Sequence, residues 1–224
     1  MMEANKLQKV IISFFSPPGS GKGTLAERLV EKFNFKVLST GQLCRQHVAG
    51  GTDFGKKLNV YLKKGALIPD SLITSMVTCW LEDNTKYNQP IILDGFPRTK
   101  GQASNFLHFL HTKLVGYCFR VFLIVLSDDE IVKRLTGRRV CENKSCRTSL
   151  SVMCCQEEIC QKCGNKLVRR DDDEEGIVIE RLKAYPVYRN RLLDFYRTVG
   201  QTVEKLDVTK MSRNQAFCTF CAML

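Results

Sequence analysis

Along the chain, apolar residues gather in short runs separated by stretches where they recur every three or four positions. The runs at 10–16, 35–39 (FKVLS), 90–94 (PIILD), 120–126 (RVFLIVL) and 202–208 (TVEKLDV) have strand length and strand composition. Those at 35–39 and 120–126 are near-continuous, as expected of strands covered on both faces of a parallel sheet. Between them the period lengthens. Leu25, Leu29, Val30 and Phe33 are predicted to share one helix face. The stretch SDDEIVKRL (127–135) opens with the spacing of a capping box, Ser127 to Glu130, and continues with Ile131, Val132 and Leu135. From about Glu174 to Val199, Ile177, Val178, Leu182, Tyr185, Leu192 and Phe195 form one stripe, with Pro186 inside it expected to kink or split the helix. Strands alternating with helices predict a doubly wound α/β core around a five-stranded parallel sheet.

Two stretches break the alternation. Residues 39–89 carry helical patterns and no convincing strand, and 139–171 are Cys-rich and poor in apolar runs. Both read as insertions into one α/β core.

Composition narrows the class. With 44% apolar and 25% charged residues over 224 positions, disordered and fibrous architectures are excluded. The longest apolar runs, VIISFF and VFLIVL, fall far short of the roughly 20 residues that span a bilayer. The opening MMEANKLQK carries a Glu and no Arg, and the apolar stretch after it breaks at Pro17-Pro18, a poor signal or transit peptide, so the expectation is a cytoplasmic protein with no membrane partner. A net charge of +11 suits a polyanion, either nucleic acid or phosphorylated small molecules. Eleven cysteines, in a chain expected to stay in a reducing compartment, point to a metal before they point to disulfides.

The chemistry concentrates in a few segments. SPPGSGKGT (16–24) lies where the first strand meets a helix, the context in which a phosphate loop acquires its meaning. Gly19, Ser20, Gly21, Gly23 and Thr24 would turn backbone N–H groups towards phosphate oxygens, and Lys22 would reach the outer phosphates; Ser16 stands where the motif usually begins with Gly. Asp94 follows a buried strand and so emerges at the carboxyl edge of the sheet, where it would hold Mg²⁺ through water. Arg98, launched directly after Pro97, suits a bidentate grip on phosphate. Arg134 and Arg138 lie four apart on one helix face. His47, His108 and His111 have no matched nucleophile and look incidental. Cys141, Cys146, Cys160 and Cys163 read as C-x4-C-x13-C-x2-C, two knuckles able to present four thiolates to a structural Zn²⁺; Cys154 or Cys155 is an alternative to Cys146. The terminal CAML has the form of a prenylation signal, with no polybasic segment before it.

SPPGSGKGT, LSTGQLCR (38–45), DGFPRTKGQA (94–103), RLTGRR (134–139) and RRDDDEE…ERL (169–182) occur in the order and spacing of adenylate kinases, in the long-lid form whose lid carries zinc. The resemblance spans about 10–210 and implies a P-loop core (1–38, 69–136 and 174–224), an AMP-binding insertion (39–68) and a lid (137–173). It implies that Lys22, Arg98, Arg134, Arg138, Arg170 and Arg181 act on phosphates, with Arg139 and Arg169 as neighbouring alternatives. Arg134, Arg138 and Lys210 would join the phosphate loop in binding ATP. Thr40, Arg45, Ala66, Leu67, Ile68, Gly95, Phe96, Pro97, Arg98, Gln102, Arg170 and Arg181 would bind AMP. Asp173, in preference to Asp172, would help order the magnesium's water shell. Thr99 with Gln102, in place of the Asn pair of pyrimidine-monophosphate kinases, favours AMP as acceptor.

The expected activity is reversible transfer from Mg-ATP to AMP by a monomer that binds no nucleic acid. The alternatives are a kinase of another monophosphate, a GTP:AMP phosphotransferase, and a basic zinc-ribbon protein that binds nucleic acid. The last leaves the phosphate loop unexplained and lacks an aromatic stacking platform between its cysteines.

Overall fold

The computed structural model describes residues 8–63, 68–86, 88–143, 146, 148–151, 158–169 and 173–224. Its larger sheet has five strands, β1 (Val10–Phe15), β2 (Lys36–Ser39), β3 (Ile91–Asp94), β4 (Cys118–Val125) and β8 (Val203–Asp207), in the spatial order β2-β3-β1-β4-β8. Every pairing is parallel. The central strand β1 is buried at all six positions, because helices cover both faces of the sheet.

One face is closed by α1 (Lys22–Phe33), α6 (Asp128–Thr136) and α8 (Arg213–Met223), whose Leu25, Leu29, Ile131, Leu135 and Phe217 meet Ile12, Phe14 and Phe122. Phe220 stacks edge-on against both Phe14 and Phe122, with ring centroids 5.4 and 4.7 Å away. The opposite face is closed by α2 (Thr40–Ala49), α3 (Asp53–Lys63), α4 (Asp70–Asn84) and α5 (Lys100–Lys113) around Ile11, Ile91, Leu93 and Phe106. The helix α7 (Glu175–Thr198) packs Tyr185, Leu192 and Tyr196 against Phe15 and Val121. A separate antiparallel sheet of three strands is formed by β5 (Arg138–Cys141), β6 (Ser149–Ser151) and β7 (Leu167–Val168), in the order β6-β5-β7.

Four local expectations are corrected. Arg138 does not share a helix face with Arg134, because α6 ends at Thr136 and Arg138 is the first residue of β5. Val30 is 40% exposed, and Ala26 takes the place on the core side of α1. A residue directly after Leu29 is rotated about 100° from it, and here that turns it to solvent. Ser127 precedes α6 but makes no side-chain cap, and Glu130 instead accepts a 2.9 Å hydrogen bond from Arg134 Nε one turn on. Pro186 does not split α7, which runs unbroken from Glu175 to Thr198 with the proline on its exposed side.

Candidate active site

The register of the central strands assembles the site. Phe14 pairs with Asp94, and Asp94 pairs in turn with Ser39, so three carboxyl ends open at one level. From the end of β1 the chain turns through Gly19 (φ +77°) and Gly21 (φ +87°) into α1, and Lys22 is that helix's first residue. Gly19 is needed for contact as well as for its left-handed backbone: a Cβ there would stand 2.9 Å from Leu135 Cγ. The loop is thereby pressed onto α6, and Arg134 Nη1 lies 3.8 Å from where a Cβ on Gly21 would be. Ser20 Oγ donates to Ser16 Oγ at 2.8 Å, so the departure from Gly at position 16 places a hydroxyl pair in the loop.

Lys22 Nζ lies 4.0 Å from Asp94 Oδ1. Burial pushes the lysine down to about 8 from 10.5; Asp94 opposes that shift, and Arg98, Arg138 and Arg181 add to it. Four cations therefore share one field at the end of β1. Asp94 Oδ2 accepts from Ser39 Oγ at 3.1 Å, whereas Asp94 Oδ1 is buried without a hydrogen-bond partner. A carboxylate oxygen left unsatisfied beside a phosphate loop fits a hydrated Mg²⁺, whose water would supply the missing donor.

A cavity of about 220 Å³ opens here, lined among others by Ser16, Lys22, Thr40, Arg98, Gln102 and Arg181. Ile68 and Gly95 also line it. Thr40 Oγ1 is held within hydrogen-bond reach of the Asp94 and Gly95 carbonyls. Arg98 Nε donates to the Gly95 carbonyl at 2.8 Å, and a Cβ on Gly95 would come within 2.5 Å of Arg98 Nη2. Phe96 and Pro97 are buried beneath this corner, their shared peptide cis. Arg45 folds back over Gly41, its Nη1 3.4 Å from a Cβ built there.

Other expected residues lie outside the cavity lining. Arg138 is forked onto Asp173: Arg138 Nε donates to Asp173 Oδ2 at 2.6 Å and Nη2 donates to Oδ1. Asp173 is fully buried, and its backbone carbonyl also accepts from Arg169 Nη2 at 2.9 Å. In this conformation both of its carboxylate oxygens are thus taken by Arg138. Lys210 is exposed beyond β8, while Val208 is buried and gives its N–H to the Val125 carbonyl. Ala66, Leu67, Arg170, Asp172, Cys154 and Cys155 lie outside the described residues. None of the three histidines lines the cavity.

Cys141, Cys146, Cys160 and Cys163 converge, their sulfurs all within 4.8 Å of one another. The Cys141–Cys163 and Cys146–Cys160 separations are 3.3 and 3.6 Å, close to the roughly 3.8 Å between sulfurs of a tetrahedral zinc thiolate site. The second knuckle is tightened by Cys160 N–H to the Asn165 carbonyl and Gly164 N–H to the Cys160 carbonyl. Hydrogen bonds from Asn165 draw the Cys163 thiol down to about 6, while burial pushes its neighbour Cys141 up to about 12, so of this pair Cys163 gives up its proton first. The donor set fits Zn²⁺.

Sequence reasoning missed the cavity contributions of Cys44, Ile73, Ala184 and Tyr188. Tyr188 lies on α7 one turn past Ala184, and an amphipathic pattern gives no reason to separate it from core residues. Its phenol is pushed up by burial, with Arg98 and Arg181 pulling the other way. Gln102, expected to face a base, is 2% exposed and already holds two partners on its amide.

A parallel sheet with a phosphate loop after its first strand, and a carboxylate in register beside that loop, defines a P-loop nucleotide-binding core. The profile of the adenylate kinase family matches residues 14–201, from the end of β1 to just beyond α7. The chain is 40% identical over 191 residues to the adenylate kinase of Archaeoglobus fulgidus, covering 84% of this chain and 86% of that protein. It is 38% identical over 214 residues to that of Thermodesulfovibrio yellowstonii, covering 94% and 97%. With the Petrotoga mobilis adenylate kinase it shares 37% over 206 residues, covering 88% and 93%. The chain belongs to the adenylate kinase family and is a nucleoside monophosphate kinase.

Proposed function

We propose that the protein catalyses Mg·ATP + AMP ⇌ 2 ADP. The observation that carries this reading is the single cavity onto which Lys22, Arg98 and Arg181 open together with Thr40, Ile68 and Gln102. A group dense in negative charge fits between the cations, and an acceptor base fits against the apolar and amide side. Transfer between two phosphates needs no protein nucleophile, so the residues' work is alignment and neutralisation of charge on the moving group.

In this reading the phosphate loop cradles the donor's phosphates and Lys22 reaches the transferred group. Arg134 lies over Gly21 on the donor side, Arg98 and Arg181 grip the acceptor phosphate, and Thr40, Arg45, Ile68 and Gln102 orient the nucleoside. Arg138 is held ready by Asp173. Ala66, Leu67 and Arg170 keep the roles that the sequence motifs suggest, as does Lys210 towards ATP. Asp94 would hold Mg²⁺ through water, and that ion would offset charge on the donor's outer oxygens. Cys141, Cys146, Cys160 and Cys163 would hold a structural Zn²⁺, with no coordination position left for chemistry. The segments 39–68 and 137–173 would close over the cavity and exclude water, which would otherwise turn transfer into hydrolysis.

We read the enzyme as a cytoplasmic monomer without a nucleic-acid partner. For the compartment, the support is that no disulfide links the described cysteines and that no described helix is long and apolar enough to cross a membrane. A coupled ADP-formation assay with AMP, CMP, UMP and GMP as acceptors, and ATP and GTP as donors, tests the reading. AMP with ATP should dominate; comparable turnover of CMP or UMP would refute the acceptor assignment.

A further inference from the structure

A carboxamide is nearly symmetric in shape, and rotating it by half a turn exchanges donor for acceptor. In this protein the Gln102 amide does not have that freedom. Its Oε1 accepts from the Arg98 backbone N–H at 2.8 Å, and its Nε2 donates to Asp70 Oδ1 at 2.9 Å. Reversal would set NH₂ against the Arg98 N–H and a carbonyl oxygen against a carboxylate, two like-with-like contacts at a buried site.

Asp70 is itself fixed. It is the first residue of α4, and its Oδ2 accepts from Thr99 Oγ1 at 2.7 Å. Thr99 is the N-cap of α5, and its Oγ1 accepts from the Gln102 N–H at 3.1 Å. The carboxylate also fills the space above Gly101, where a Cβ would come within 2.5 Å of Asp70 Oδ2. Thr99, Gly101 and Gln102 thus form a seat for one acidic side chain 29 to 32 residues earlier in the chain.

With these partners in place, Gln102 has one Nε2–H and one Oε1 lone pair left, and it lines the cavity. A 6-aminopurine offers a donor at N6 and an acceptor at N1. A 6-oxopurine offers the reverse, an acceptor at O6 and a donor at N1. We infer that Asp70 is a positioning residue for acceptor choice: by holding the Gln102 amide in one orientation, it selects a 6-aminopurine monophosphate over a 6-oxopurine monophosphate. This rests on the reading above that Gln102 faces the acceptor base.

The test compares kcat/KM for AMP and for inosine monophosphate, with ATP as donor, in the parent, Asp70→Ala, Asp70→Asn and Gln102→Ala. The ratio of the two constants is taken within one preparation, so loss of folded protein cancels from it. Asp70→Ala should lower the AMP preference about tenfold, the value of about one oriented buried hydrogen bond, with the KM for ATP unmoved. Asp70→Asn, which can offer either end of its own amide, should lower it about threefold and decides the matter if Asp70→Ala does not fold. A fall in Gln102→Ala with no fall in either Asp70 variant would overturn the inference and leave the base-reading role intact. An unchanged ratio in Gln102→Ala would remove the base-reading role itself, and the inference with it. A purely structural Asp70 would lower both constants in proportion, which also overturns it.

Discussion

The lowered pKa of Lys22 makes a measurable prediction about proton traffic. In the nucleotide-free protein, burial outweighs the attraction of Asp94 and sets the ammonium's pKa at about 8. At pH 8.5 such a group is about three-quarters neutral, and at pH 7 only about a tenth. A bound triphosphate places several negative charges beside it and raises that pKa again. ATP binding should therefore take up about 0.7 proton at pH 8.5 and about 0.1 at pH 7. Titration calorimetry in two buffers of different ionisation enthalpy reads this directly, since the nucleotide's own phosphate groups are already deprotonated at pH 8.5. Lys22→Met should abolish the uptake. Uptake below about 0.2 proton at pH 8.5, or equal uptake in Lys22→Met, would refute the reasoning. The same shift has a sign for stability. Between pH 8 and 10.5 the unfolded chain keeps a proton that the folded chain has lost, so this group alone makes the nucleotide-free protein more stable as pH rises through that window. The upper limit is about 3 kcal/mol, reduced in practice because 21% of the side chain still meets solvent.

Two further outcomes are expected. Chelation, or Cys160→Ser, should lower the melting temperature and expose 141–163 to proteolysis while leaving AMP affinity nearly unchanged; a zinc-free sample with parental melting and full turnover would deny the metal its role. Asp173→Ala strips the fully buried partner from Arg138 and should cost about 3 kcal/mol in denaturant unfolding, and a loss under about 0.5 kcal/mol would show that the pair is not coupled to folding.

The sheet and the phosphate loop were legible because their signals are local. Five apolar runs, each a few residues long, mark the five strands, and Gly19, Gly21 and Lys22 sit in a spacing that few other structures require. The four cysteines were legible for the same reason: knuckle spacing is a short-range constraint. What local pattern could not supply was competition between partners. Ser127 and Glu130 have the capping spacing, but the Arg134 guanidinium one turn on takes the carboxylate. Val30 fits a helical stripe by type, yet its azimuth turns it outwards. Asp70 carried no signal at all, since its partners lie 29 and 32 residues away and only the packing of α4 against α5 brings them together. The sequence shows only the charge of Asp173, and its burial against Arg138 depends on how the small sheet meets α7.

The order of the larger sheet leaves β2 and β8 at its two edges, where a second chain adding a strand would have to dock. β2 is only four residues long and begins with Lys36. β8 alternates in a way that turns Lys205 and Asp207 to solvent and buries Leu206, and its Glu204 is held by Arg120 through two hydrogen bonds of 2.9 and 2.7 Å. A strand approaching β8 would meet a charged rim, and one approaching β2 would find too short a template to bind. An enzyme with the apolar VIISFF run at the centre of its sheet thus keeps its sticky strand enclosed and presents edges that resist amyloid-like addition.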